Sequence, residues 1–450
     1  MATIGLELVD AALLAVRDGV RLAASPGVAL IDPGGLLVGE PAVAAMRLRP
    51  VLAADHFWTD LAADAMVQSA AMPITYADLA HAHLLQLWNS IGRADDQVVF
   101  AVPGTMRLAQ LGLLLGIAKS VAMPVAGVVD LAVAACAGVP ARATVLHLDI
   151  HLHQAVLTGL QGSEVLRRGD VEVTIRVGQK AMHGAWAQLI SEAMVRRTRF
   201  DPLHQAESEQ QLHDRLPGWL QLLATQDTID AAIETGTNSF SATLRREQFA
   251  LAADAYYTQL VELVQSAYRT GTAATLVLSS RAAELPALRE RLAALPGLEL
   301  VALPDTAPAA AAAARVDEIG PGDPPMLVTA LARSLPLAVT APRAGLANPT
   351  HVIHESRAHT IDEQPLVLGL GDGDAVPAQG RKLAIAGNPA GVSHSHCTLM
   401  RRDGAVVVRD HSRYGSFVND ERVRGEAVLG AGDRLRLGTP GVVLQLVAVA

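Results

Sequence analysis

Aromatic residues make up only 3 % of this 450-residue chain. So few rings leave no stacking platform for single-stranded nucleic acid, and the core has to be aliphatic. Charge is also sparse, at 18 %, with a formal net charge of −9. No basic face announces a polyanion, and no nucleic-acid partner is expected. Basic and acidic residues balance across residues 351–450, so the excess negative charge belongs to the first part of the chain. The two cysteines, Cys136 and Cys397, lie far apart in apolar sequence. They read as small core residues in a reducing compartment, not as a disulfide frame or a metal site. The start, Met1–Asp10, lacks the basic residues and long apolar core of a secretory signal. The most apolar stretch, 108–139, is broken by Lys119, Pro124 and Asp130, so no membrane span is expected and the cytoplasm is the expected location. There is no Walker loop, no Gly-x-Ser-x-Gly elbow and no Cys pair.

Half of the residues are hydrophobic, enough to bury a large core. Residues 4–15 and 27–31 read as strands, with a turn at 32–35. Thr75 and Asp78 have capping-box spacing ahead of a helix that runs through Leu87. A strand at 97–103, a helix at 106–119, a strand at 124–129 and a helix at 130–137 follow. Residues 143–149 and 154–159 read as a hairpin. The pattern from 181 to 268 is helical, with one loop at 235–241. A strand at 274–279 and a helix at 285–294 come next, and the Ala run 309–314 is expected to be a closing helix. Residues 316–350 are rich in Pro and Gly and read as the region between domains. From 351 to 450 the chain turns to short strands, Gly turns and alternating charge, which predicts a separate all-β domain.

Particular residues extend this α/β reading of 1–315. Leu37-Val38-Gly39-Glu40-Pro41-Ala42, Val98-Val99-Phe100-Ala101-Val102-Pro103 with Gln110, and Asp130-Leu131-Ala132-Val133-Ala134-Ala135 come in order. Leu244-Arg245-Arg246-Glu247-Gln248-Phe249, and Val277-Leu278-Ser279-Ser280-Arg281 before Leu285-Pro286, complete the series. Together they resemble segments of the actin/DnaK-like ATPase superfamily, a two-lobed ribonuclease H-like fold. That resemblance implies ATP held between lobes by two phosphate-binding hairpins and an adenosine strand, where Gly lets backbone N–H groups reach phosphate and Asp organises Mg²⁺. This sequence departs at all three places. Glu7 stands where the first hairpin has Asp, and no Gly-Thr pair follows. Asp149 is kept in the second hairpin, but His151 and Leu152 fill its Gly positions. Ser279 and Ser280 end the adenosine strand. The expected cleft at Glu7, Asp149, Ser279 and Ser280 is therefore degenerate, with no catalytic residue, no metal and no resident cofactor; Mg-ATP belongs to the alternative reading.

His147, Asp149, His151 and His153 share one face of an extended strand. Their spacing of about 7 Å is too wide for one ion's ligands, so a polar face lining the cleft is the plain reading, with a metal or a pH-sensitive contact as alternatives. His81 and His83, two apart on a helix, cannot face one site.

In the last hundred residues, Ser393-His394-Ser395-His396 resembles the Ser-x-x-His segment of forkhead-associated (FHA) domains. Arg409 to Asn419 and Leu429 to Gly438 resemble that family's two later motifs. The resemblance implies a β-sandwich that reads phosphothreonine through an Arg after a Gly, the Ser of Ser-x-x-His and an Asn. Here Ser393 is present, Tyr414 takes the Asn position, Gly380-Arg381 stands close to Ser393 in sequence, and Gly369 is followed by Leu370. Ser393, Arg381, Arg413 and Ser416 are the candidate phosphopeptide contacts, and His396 and Asn419 read as braces. The expected protein is a non-catalytic, chaperone-like bacterial scaffold that binds protein partners, with an FHA module for docking that either requires a phosphorylated partner or does not. The alternative is a divergent ATPase regulated through its FHA module.

Overall fold

The computed structural model describes residues 2–32, 34–64, 74–140, 144–268, 273–320, 322, 324–333, 349–354, 357–362, 364–371, 380–387, 389–402, 405–418, 421–423, 425–439 and 441–448. The chain divides into two compact units, Met1–Ser334 and Leu335–Ala450.

The first unit holds two six-stranded sheets with the same internal order. In the first sheet, Ala2–Val9 pairs antiparallel with Ala12–Arg17, which pairs with Val20–Ser25; on its other side lie parallel Asp96–Val102 and then Val125–Asp130. In the second, Thr144–Ile150 pairs antiparallel with Gln154–Gln161 and then Val165–Ile175 follows; on the other side lie parallel Ala274–Leu278 and Leu298–Ala302. Parallel pairing demands long crossovers, and these carry the helices. One is Tyr76–Ile91. Its capping box at Thr75 and Asp78 is formed, and it buries Leu79, Ala80, His83, Leu84 and Leu87 along one face. The Ala run forms the helix Ala307–Ala314. It approaches the first strand so closely that a Cβ on Gly5 would lie 1.8 Å from the carbonyl oxygen of Ala309. Only glycine fits there.

Two expectations need correction. The stretch 181–268 is not helical throughout. Gln179–Thr198, Ala206–Leu223, Arg246–Ala252 and Asp254–Ala267 are helices, but Thr228–Thr235 and Asn238–Arg245 form an antiparallel hairpin. Ile229, Ala231 and Ile233 are buried in alternation, which is a strand's period. Second, residues 316–333 are built into the first unit. Leu327–Val328 adds a strand to the edge of the first sheet, and Ala330–Ala332 adds one to the second. Pro and Gly made this stretch read as a connector, yet its few apolar residues, Leu331 among them, are paired and packed.

The second unit has a six-stranded and a five-stranded sheet. Their inner faces share a core that includes Val352, Leu368, Cys397, Leu399, Val408, Leu435, Leu437 and Leu444. Leu435 and Leu437 face in, while Arg434, just before them, is exposed. This is the arrangement of a β-sandwich.

Candidate functional site

Glu7 and Asp149 lie on the central strands of the two sheets, 1 % and 2 % exposed. A carboxylate so far from water needs a counter-charge. Arg281 supplies one to both. Its Nη2 donates to Glu7 Oε1 at 2.5 Å and to Asp149 Oδ2 at 2.8 Å, and its Nε donates to Asp149 Oδ1 at 3.1 Å. Arg281 sits on the short helix Ser280–Ala283, whose N-cap is Ser279; the Ser279 hydroxyl accepts from Ala282 N at 3.2 Å. Ser279 is therefore a helix cap, and Ser280 is the half-buried first residue of that helix.

Burial raises the pKa of Glu7, against the pull of Arg281. Burial also works against charge on Asp149, but Arg281 and His151 outweigh it and hold that carboxyl well below its usual range. The guanidinium is desolvated too, yet Asp149 and Glu7 keep it firmly protonated. Glu7 Oε2 is buried without a hydrogen-bond partner, the atom on which a protonated Glu7 would carry its proton.

The turn of the second hairpin is closed in the same internal fashion. Ile150 N donates to Asp149 Oδ1 at 2.8 Å, His151 N to Gln154 O at 2.8 Å, and Leu152 N to Asp10 Oδ1 at 2.8 Å. Asp10 belongs to the turn of the first hairpin, so its carboxylate joins the two turns. Its other oxygen accepts from the Thr59 hydroxyl at 2.6 Å. His151 stands between the two carboxylates, with Nε2 3.4 Å from Asp149 Oδ2 and Nδ1 4.0 Å from Asp10 Oδ1.

The four-residue polar ladder does not converge. His147, Asp149 and His151 are buried along the strand, and burial pushes the His147 pKa down to about 4. His153 turns to Asp55 instead, with Nε2 3.4 Å from Asp55 Oδ1. Sequence reading missed Asp10 and Arg281. The available signal was charge: two carboxylates inside apolar strands need a cation, and Arg281 follows the strand Ala274–Leu278, which pairs with the Asp149 strand.

In the second unit, His396 is fully buried and braces the loop end. Its Nδ1 accepts from Ser393 N at 3.0 Å, so Nε2 carries the proton donated to Gly415 O, 3.1 Å away. The Ser393 hydroxyl accepts from Arg413 N at 3.4 Å, leaving its own hydrogen free to donate. Arg413 and Tyr414 are exposed beside it. The other two candidates are elsewhere. Arg381 pairs in register with Leu366, while Ser393 O accepts from Leu370 N at the far end of the same strand. Four residues separate those ends, about 13 Å at ~3.3 Å per residue. Arg381 is engaged there by Thr360 O at 2.7 Å and Asp362 Oδ1 at 2.9 Å. Ser416 is fully buried and donates to Asp410 Oδ1 at 2.8 Å, so it holds the loop from within. A Cβ on Gly369 would lie 2.2 Å from His394 O. The pair that packs against Ser393 and His394 is thus Gly369-Leu370, and Leu370 is buried in the core. Asn419 lies outside the described residues.

Among the described residues, no helix is long and apolar enough to cross a membrane. No curated protein matches the chain. Residues 380–438 match the FHA domain family. With the Ser393–His396–Gly415 brace inside a two-sheet sandwich, this segment of the chain is an FHA domain.

Proposed function

We propose that the chain is a non-catalytic adaptor, a degenerate actin/DnaK-like body that binds protein partners and carries an FHA module for a phosphorylated one. Two sheets of the same strand order, each with its meander on one side and its parallel strands on the other, support the actin/DnaK-like reading of the first unit. The observation that carries the non-catalytic part is the internal pairing of the two hairpins. Mg-ATP would need free carboxylates for the metal shell and free backbone N–H groups for phosphate. Here Arg281 is the cation on Glu7 and Asp149, and the Asp10 carboxylate is the anion on Leu152 N. The residues present do not fit Mg-ATP. Displacing these groups would strand buried charges at several kcal/mol each. In calorimetry with the full chain, Mg-ATP is expected to give no saturable heat up to millimolar nucleotide. A micromolar Kd, or hydrolysis lost in Asp149→Ala, would favour the divergent ATPase instead.

At the FHA end, the groups offered to a phosphate are the Ser393 hydroxyl and the exposed Arg413. Leu370 stands in place of the family's Arg. The phosphate therefore contributes about one charge-assisted hydrogen bond, roughly 1.5–3 kcal/mol or ~10–100-fold in affinity. A phosphothreonine peptide selected from a library on the full chain should bind that much more tightly than its unphosphorylated form. Ser393→Ala should remove the preference. Equal binding of both forms would leave the module a phosphate-independent docking surface.

A further inference from the structure

Asp55, His56 and His153 come together in the first unit. Asp55 and His56 follow the short strand Ala53–Ala54, and His153 lies in the turn of the second sheet's hairpin. One ligand atom from each lies within 4.8 Å of the others. Asp55 Oδ1 is 3.4 Å from His153 Nε2 and 3.9 Å from His56 Nε2, and His153 Nε2 is also 3.0 Å from the Asp55 carbonyl oxygen, a hydrogen bond that metal binding has to break. Four ligands around a tetrahedral ion with ~2.0–2.1 Å bonds stand about 3.3 Å apart, so the Asp55–His153 pair is already at that spacing and the His56–Asp55 pair needs only a small closure.

The surroundings suit a ligand set. Asp55 is buried, and Lys180 Nζ holds its other oxygen, Oδ2, at 2.5 Å. That contact fixes the carboxylate with Oδ1 turned to the two imidazoles. Asp60 Oδ2 lies 3.7 Å from His56 Nδ1. A carboxylate on the far ring nitrogen favours the tautomer that frees Nε2, the usual outer-shell partner of a metal-bound histidine. The two rings stack with centroids 3.7 Å apart and planes 14° from parallel. Stacked rings send their lone pairs side by side, so one must rotate for both to meet one ion. His56, with its side chain 48 % exposed, has the room.

We propose that Asp55, His56 and His153 form a zinc-class divalent metal site that pins the segment after Ala53–Ala54 to the second sheet's hairpin. Two imidazoles and one carboxylate are ligands of borderline softness, which suit Zn²⁺ over Mg²⁺ or Ca²⁺. Three protein ligands leave a fourth position for water. The proposal does not depend on the adaptor reading.

The test uses the full chain, stripped with chelator and desalted, then given equimolar Zn²⁺ and passed again through gel filtration. The wild type should retain zinc in a one-to-one ratio and gain several degrees in Tm, reversed by chelator. His56→Ala and His153→Ala should each lose the retained zinc and the Tm gain, while His204→Ala, exposed and distant in sequence, should keep both. Co²⁺ in place of zinc should give visible absorption in the wild type that is absent from His56→Ala and His153→Ala. Should His153→Ala fold poorly, the half-exposed His56→Ala carries the comparison alone. Zinc lost from the wild type on gel filtration, or kept equally by His56→Ala, overturns the proposal.

Discussion

Arg281→Met is expected to destabilise the first unit by about 3–5 kcal/mol. The side chain is only 13 % exposed and carries three hydrogen bonds to two buried carboxylates. Removing it leaves Asp149 charged or forces a proton onto it, and strips the Glu7 carboxyl of its only hydrogen-bond partner among the described residues. The asymmetry of buried ion pairs gives a second arm. Replacing all three members by apolar residues, as in Glu7→Leu/Asp149→Leu/Arg281→Met, removes the desolvation penalty along with the attraction and should return stability to near the wild-type value. Urea unfolding of the full chain, followed in the transition of the first unit, reads both. A single Arg281→Met within about 1 kcal/mol of wild type would mean that the trio behaves as a surface pair, and the internal-cation account of the cleft would fail with it.

Acid should weaken the first unit well above the carboxylate range. His83 and His147 are both buried, and burial pushes each down to about 4 from an ordinary 6.5. His83 has the hydrogen bonds of a neutral ring: Trp58 Nε1 donates to its Nδ1 at 3.0 Å, so its Nε2 donates to the Ser25 hydroxyl, 2.7 Å away. For a histidine with its folded pKa below the unfolded one, the protonated ring favours the unfolded chain. The stability is fully present above pH 6.5 and is lost as pH falls from 6.5 towards 4. At about 1.36 kcal/mol per pKa unit, each histidine costs about 3 kcal/mol by pH 4. Asp149, whose pKa lies below its ordinary value, loses its contribution only under stronger acid, so the two windows separate. His153 works in the opposite sense: burial lowers its pKa but Asp55 raises it above 6.5 on balance, so its contribution is present below 6.5 and fades as pH rises past its folded pKa. Burial also holds His183 down at about 4 and His213 at about 3, so urea midpoints measured between pH 7.5 and 4 should fall steeply, and His83→Gln should flatten the slope by about a quarter. A midpoint constant down to pH 4.5 would show that these rings do not titrate in the way their burial demands.

What the sequence determined by itself was largely local. Apolar alternation placed the strands, Thr75 and Asp78 placed a helix start, and a run of Ala placed a helix. Ser393, His396 and the Gly-Asp segment at 432–433 placed the FHA sandwich, because these residues keep fixed offsets around one module. His151 and Leu152, where the resemblance to actin/DnaK-like ATPases would put Gly, were visible without any coordinates. Three matters were decided only by tertiary structure. Thr228–Thr235 has apolar residues at spacings that a helix also tolerates, and only pairing with Asn238–Arg245 made it a strand. Arg381 is near Ser393 along the chain, yet a parallel register carries it to the opposite strand end; distance in sequence says nothing about which end of a sheet a residue reaches. Glu7, Asp149 and Arg281 are separated by well over a hundred residues at each step, and Asp10 is equally remote from Leu152. Charge compensation inside a protein depends on a few ångströms of separation in a medium of low dielectric, and that separation is set by how two sheets meet, which no local pattern encodes.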